Sequence, residues 1–299
     1  MMRLAGIVLN TFRETVRRPF YYLLLAGAAA ALLATLRLPF FTLGRSGHYG
    51  DTDMYKDLGL SFVLVFVLLL AVLGAATSVA KEVEDKTAQT ILSKAVGRWQ
   101  FIVGKYVGVM VAVTIGLVVL GVIFAAAVYY RVRLDAGVFE RAYTRGGVGH
   151  QIEAFRARQI YQALTITPGI VLVLLQVGVL AAVATAISTR LSSAASVGLS
   201  LALFLVGHLT VFLESGARFA STGWQALCSG ILAFMPFLEV FNLNERLSHT
   251  MLTPFDAGSP GAAQWTAVWA YVGLSTLYAA AYCVFALGLG VVLFRRRSL

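Results

Sequence analysis

Between Lys81 and Lys105 the chain reads KEVEDKTAQTILSKAVGRWQFIVGK, a charged stretch set between two long apolar runs. Glu82, Glu84 and Asp85 come first, Lys86, Thr87 and Ser93 follow, and Arg98 and Lys105 close it. At a helical period Glu82 and Lys86 form an i,i+4 pair in the favourable order. The acids fall toward the N-terminal side of a short helix, where the helix dipole favours negative charge. Val79, Val83, Thr87, Ile91 and Leu92 share one face. Such a hairpin tip is charged at its edges and apolar beneath. From these residues alone, a solvated loop between two spans is the simpler reading.

Other reactive side chains do not gather. No nucleophile, base and orienting group cluster in the sequence. His48, His150, His208 and His249 are dispersed and lack metal-ligand spacing. Cys228 and Cys283 stand far apart and read as free thiols in apolar surroundings. The nearest approach to a phosphate loop is GRWQFIVGK, Gly97 to Lys105. Its glycine spacing is wrong, and Tyr106 stands where a Ser or Thr would hold magnesium. No cofactor is therefore expected on this chain, and no enzymatic activity.

Composition says what must position these residues. Of 299 residues, 59% are hydrophobic and 13% charged, about half the charged share of a soluble domain. A water-soluble fold could not hide that much apolar surface, so the bilayer is the solvent. The net charge of +10 then speaks for orientation and contact with anionic lipid, not for nucleic acid.

Residues 1–20 carry Arg3, Arg13, Arg17 and Arg18, with Leu4, Ile7, Val8, Leu9, Phe12 and Val16 at helical spacing. They predict a basic amphipathic helix on the membrane face. Tyr21 to Leu36 continues as the first span, and 42–57 reads as a short polar loop. Leu58 to Ala80 and Tyr106 to Tyr130 are uncharged spans. Residues 131–165 form an arginine-rich loop with a short interfacial helix in its second half. Pro168 opens the span Ile166 to Thr189, Arg190 marks a tight turn, and Leu191 to Leu213 is the next span. Residues 219–238 are apolar over too short a length to cross and predict a re-entrant pair of half-helices. Val268 to Phe294 is the last span, stopped by Arg295, Arg296 and Arg297. The expectation is an all-α integral membrane protein. It has six transmembrane helices, an N-terminal amphipathic elbow helix, and a re-entrant element before the last span. The arginines flanking the first and last spans put both termini in the cytoplasm, although the arginines of 131–165 oppose that choice.

The run E-x-E-D-K-T-x-x-x-x-L-S-K-x-x-x-R-x-x-x-x-x-G-K-Y-x-G resembles the hallmark stretch of ABC type-2 transporter permeases. More narrowly it resembles the branch with the permease of the nitrous-oxide-reductase maturation system. Glu82, Glu84, Thr87, Leu92, Ser93, Arg98, Gly104 and Lys105 carry the likeness, while Lys86 and Ala95 depart from the commonest pattern, which has Gly and Pro. The resemblance implies a single permease domain over 1–299. It makes 81–102 a cytoplasmic coupling helix, seated in a groove of a separate ATP-binding cassette ATPase that holds the ATP and magnesium. Glu82, Glu84, Asp85, Lys86, Thr87, Ser93, Arg98 and Lys105 are its coupling residues. It implies two permeases, identical or different, with two ATPases in a bacterial-type inner membrane, acting as an exporter. A membrane assembly or maturation factor and an ATP-independent transporter are the alternatives. His208, inside a span, and Glu214, at the outer end of one, are weaker candidates for a path or an interface.

The charge distribution makes the side of 131–165 testable. A cysteine replacing Glu153 should react with a membrane-impermeant maleimide from outside the cell only; labelling from the cytoplasm alone would invert the topology.

Overall fold

The computed structural model describes residues 2–36, 50–84, 97–140, 159–209, 236–242 and 260–295, and they are helical almost throughout. In chain order the helices are α1 (Met2–Arg17), α2 (Pro19–Thr35), α3 (Gly50–Glu84), α4 (Arg98–Glu140), α5 (Thr167–Ile187), α6 (Ser193–His208) and α7 (Pro260–Arg295). A 3-10 turn at Leu238–Phe241 lies between α6 and α7.

The first break follows from one residue. Pro19 has no backbone N–H and disfavours helical backbone at the residue before it, and Arg18 is extended at φ −76° and ψ 136°. Pro19 then opens α2, where a missing donor costs nothing. The axes of α1 and α2 differ by 61°. The N-terminal helix is thus set off from α2 by a bend. Its buried stripe is more polar than expected: Thr11 and Thr15 are covered, whereas Leu9 is 48% exposed.

Four helical stretches among the described residues are long and apolar enough to cross a membrane, or five if the bent α1–α2 pair is one span. They are Thr52–Glu82, Arg98–Arg133, Gln159–Ile187 and Trp265–Phe294. The protein is a multi-pass membrane protein by these helices. The sequence predicts six spans, and the described helices do not reach that number: α6 has 16 residues, short of a full crossing. Of the expected re-entrant segment 219–238, only 236–238 are described, and Glu214 lies outside the described residues.

Two expected loops begin as helix. Residues 50–57 form the first turns of α3, and 131–140 continue α4. Length is the reason. At 1.5 Å per residue, α3 with 35 residues and α4 with 43 run about 50 and 65 Å, well past a ~30 Å hydrocarbon core. The helices therefore run on past the apolar core. Some of the charge at their ends is packed rather than solvated: Lys56 and Arg131 are only 4% and 5% exposed. Lys56 Nζ donates to Gln162 Oε1, and Arg131 Nη1 donates to the carbonyl of Leu36 at 2.5 Å, closing the end of α2.

α5 is the centre of the bundle. It is apolar all round, with small Gly and Ala positions, and packs against α7, α3, α4 and α6. Most of its apolar window is buried, 67% against 22% for α7, which leaves Leu274, Leu277, Val284 and Phe285 of α7 on the outside. With lipid as apolar as leucine, such helices hold together by close approach and polar links. Gly290 of α7 supplies the approach: a Cβ there would lie 3.0 Å from Ala186 Cα on α5. Tyrosines supply the links. Tyr21 Oη donates to Ala112 O at 3.0 Å, Tyr55 Oη to Leu32 O at 3.0 Å, and Tyr106 Oη to Gly178 O at 3.2 Å.

Two glycines two residues apart on α7 separate packing from propensity. Gly290→Val, which meets the α5 backbone, should cost about 1–3 kcal/mol of overpacking and lower the melting temperature in detergent. Gly288→Val, with nothing within 4 Å of its Cβ, should leave it within a degree or so.

Candidate functional site: the ion cluster at the base of the 81–105 hairpin

α3 runs into this segment through Glu84, and α4 leaves it at Arg98. The start of α4 is fixed by its own chemistry. Gly97 caps the helix: its carbonyl accepts from Phe101 N at 3.1 Å, and its N–H donates to Gln100 Oε1 at 3.2 Å. The side chain at the third helical position reaching back to the cap N–H is half of a capping box. The first turn then presents Arg98 and Trp99 outward, Trp99 being 55% exposed.

Two turns on, α4 turns inward. Lys105 is 2% exposed, and its Nζ donates to Glu82 Oε1 at 2.5 Å. The same ammonium lies 3.7 Å from Glu14 Oε2 on α1 and 5.9 Å from the centroid of the Phe101 ring. Glu14 in turn pairs with Arg18 one helical turn later. The cluster is therefore a chain, Arg18–Glu14–Lys105–Glu82, of two cations and two anions across α1, α3 and α4. A balanced set is the condition under which buried charge is tolerable, because desolvation of each ion must be met by a close partner.

The helices must approach closely for these side chains to meet. Gly104 and Gly108 flank Lys105 on α4 and receive α1. A Cβ at Gly104 would lie 2.8 Å from Ile7 Cγ2, and one at Gly108 would lie 2.7 Å from Val8 O and 2.6 Å from Thr11 Cβ. On α3, a Cβ at Gly74 would be 3.5 Å from Thr15 Cγ2. Below this seat a small apolar cluster ties in α7. Val79, Phe101, Ile102 and Phe294 are buried together, and the Phe101 and Phe294 rings stack at 5.7 Å.

The eight coupling candidates thus divide. Glu82 and Lys105 face each other inside the base of the hairpin, and Arg98 is exposed at its edge. Glu84 ends α3, with its side chain outside the described residues, as are Asp85, Lys86, Thr87 and Ser93. His208 is apart from this group. Its ring lies 4.4 Å from that of Phe204, its Nδ1 is 3.1 Å from Phe204 O, and its Nε2 is 3.2 Å from Gln176 Nε2 on α5. Since Nδ1 faces a carbonyl it carries the proton, and Nε2 accepts from the Gln176 amide. This pair joins α5 to α6. Among the described residues no three His, Cys, Asp or Glu side chains come together to hold a metal.

Glu14 was the residue that sequence reasoning passed over. The one signal for it was a lone acid in a helix whose other charges are all arginines.

The profile described as ABC-2 family transporter protein matches residues 29–299. The chain belongs to that family. A search among curated proteins gave no match. The match takes in α3 to α7, with Glu82, Arg98 and Lys105, and the last seven residues of α2. α1 and Glu14 lie ahead of it. The chain is accordingly an ABC-2 transporter membrane component, and members of this family typically rely on a separate ATPase.

The cluster ranks its members. Lys105→Met takes the cation from a half-buried Glu82 and should cost up to about 3 kcal/mol. Arg18→Met, at a partly exposed pair at the end of α1, should cost under about 1 kcal/mol. Thermal unfolding in detergent should place Lys105→Met lowest, and equal melting temperatures for the two would refute this ranking.

Proposed function

We propose that this chain is the membrane-spanning permease of an ATP-driven exporter, with 81–105 as the segment that receives work from a separate ATPase. The carrying observation is the contrast between the inside and the edge of the hairpin base. Arg98 and Trp99 stand exposed at the first turn of α4, while Lys105 and Glu82 lock its two arms together within. A mere loop between spans needs no such brace. A segment that is pushed from outside does, because the push must reach α3 and α4 together. Glu82 and Lys105 then act in coupling by holding the arms in register, and Arg98 acts at the contact itself. Glu84, Asp85, Lys86, Thr87 and Ser93 are the other contact residues in this reading.

In this reading ATP and magnesium sit on the ATPase, and two permeases, alike or different, form the path. The hairpin end of the bundle faces the cytoplasm of a bacterial-type inner membrane, with both termini on that side. α1 then lies at the inner leaflet, where Arg13 and Arg17 meet anionic headgroups. The likeness of the 82–108 run to the maturation-system branch also supports a role in assembling an extracytoplasmic enzyme.

Reversing charge at the edge tests the reading. Glu84→Lys combined with Arg98→Glu should abolish co-purification with the ATP-binding subunit, or cut its permease-dependent ATP hydrolysis at least tenfold, while leaving the permease folded. Unchanged assembly and hydrolysis would remove 81–105 from the coupling role.

A further inference from the structure

α1 is commonly the part of such a chain one would assign to the lipid surface, but its buried stripe is not addressed to lipid. Thr11 and Thr15 are covered, and Glu14 reaches the buried ammonium of Lys105. Two glycines on α4, Gly104 and Gly108, leave the space that receives it, and the contact at Gly108 is with the α1 backbone itself. Backbone against backbone leaves no room for sliding, and the ion chain prevents rotation of α1 about its axis.

Resting on the permease reading above, we infer that Glu14 is a positioning residue that locks α1 to the base of the 81–105 hairpin through Lys105, so that α1, α3 and α4 move as one body when the hairpin is driven. Glu82 and Lys105 fall within the stretch matched by the family and Glu14 does not, so the third contact is added by the N-terminal arm. The bend at Pro19 is what lets that arm return to α4 while α2 continues through the bundle. Load arriving at the hairpin is thereby shared with the N-terminal arm and, through Pro19, with the first span.

Spin-label distances in the purified permease–ATPase complex test this, in a background with Cys228→Ser and Cys283→Ser. One label pair, Asn10 with Val122, lies on α1 and α4, where both sites are exposed. A second pair, Asn10 with Leu277, spans α1 and α7. Trapping with ATP, magnesium and vanadate should shift the second distance and leave the first unchanged. In Glu14→Gln the first distribution should broaden at least twofold and the shift of the second should shrink at least threefold, with the ATPase still bound. Glu14→Asp, which keeps the charge, should restore most of both. The inference is overturned if Glu14→Gln leaves both pairs as in the wild type, or if the first pair shifts in the unmodified protein. It is overturned too if neither pair responds to trapping. If the complex also fails to form with an ATPase, the permease reading falls with it.

Discussion

One ammonium group sets the terms for this end of the molecule. Lys105 is buried where three helices cross, and an ion in that position is sustained only by partners brought within a few ångströms. Glu82 and Glu14 are those partners, and Arg18 balances the second of them. To bring them there, α1 must lie against α4, which requires glycine at 104 and 108. It must also return from α2 at a steep angle, which requires the break at Pro19. Small residues, a proline and four charges scattered between Glu14 and Gly108 thus serve a single electrostatic requirement.

The rest of the bundle obeys the rules of helices in lipid. α5 is central because it is apolar all round and lined with small residues. α7 is peripheral because its large side chains can face lipid. Where helices meet, tyrosine hydroxyls donate to backbone carbonyls that already serve their own helix, using the second lone pair. These links at Ala112, Leu32 and Gly178 fix the register of neighbouring spans without leaving a polar group bare. At the opposite end from Lys105, Lys56 and Arg131 perform a similar service for the ends of α2, α3 and α4.

Much of this was legible in the sequence. Apolar run lengths placed α3, α4, α5 and α7, Pro168 placed the start of α5, and the change from a basic amphipathic pattern to an uncharged run placed the boundary after α1. Charge was the misleading signal at run ends. Asp51 to Asp57 and Arg131 to Glu140 look like loops because they are polar, yet the helices continue through them past the apolar core. The ion cluster was half legible. Glu82 and Lys105 stood out within one motif, but their opposition depends on two helices running antiparallel. Glu14 sits far away in sequence, and nothing local reveals that Gly104 and Gly108 make a seat for its helix.

The account turns on whether the edge of the hairpin base meets an ATPase. A photoreactive amino acid in place of Trp99, exposed at the first turn of α4, reads that contact directly in intact membranes. The account predicts crosslinks to an ATP-binding subunit whose yield changes when ATP is trapped. Crosslinks to lipid or to a second copy of this chain alone, indifferent to nucleotide, would contradict it.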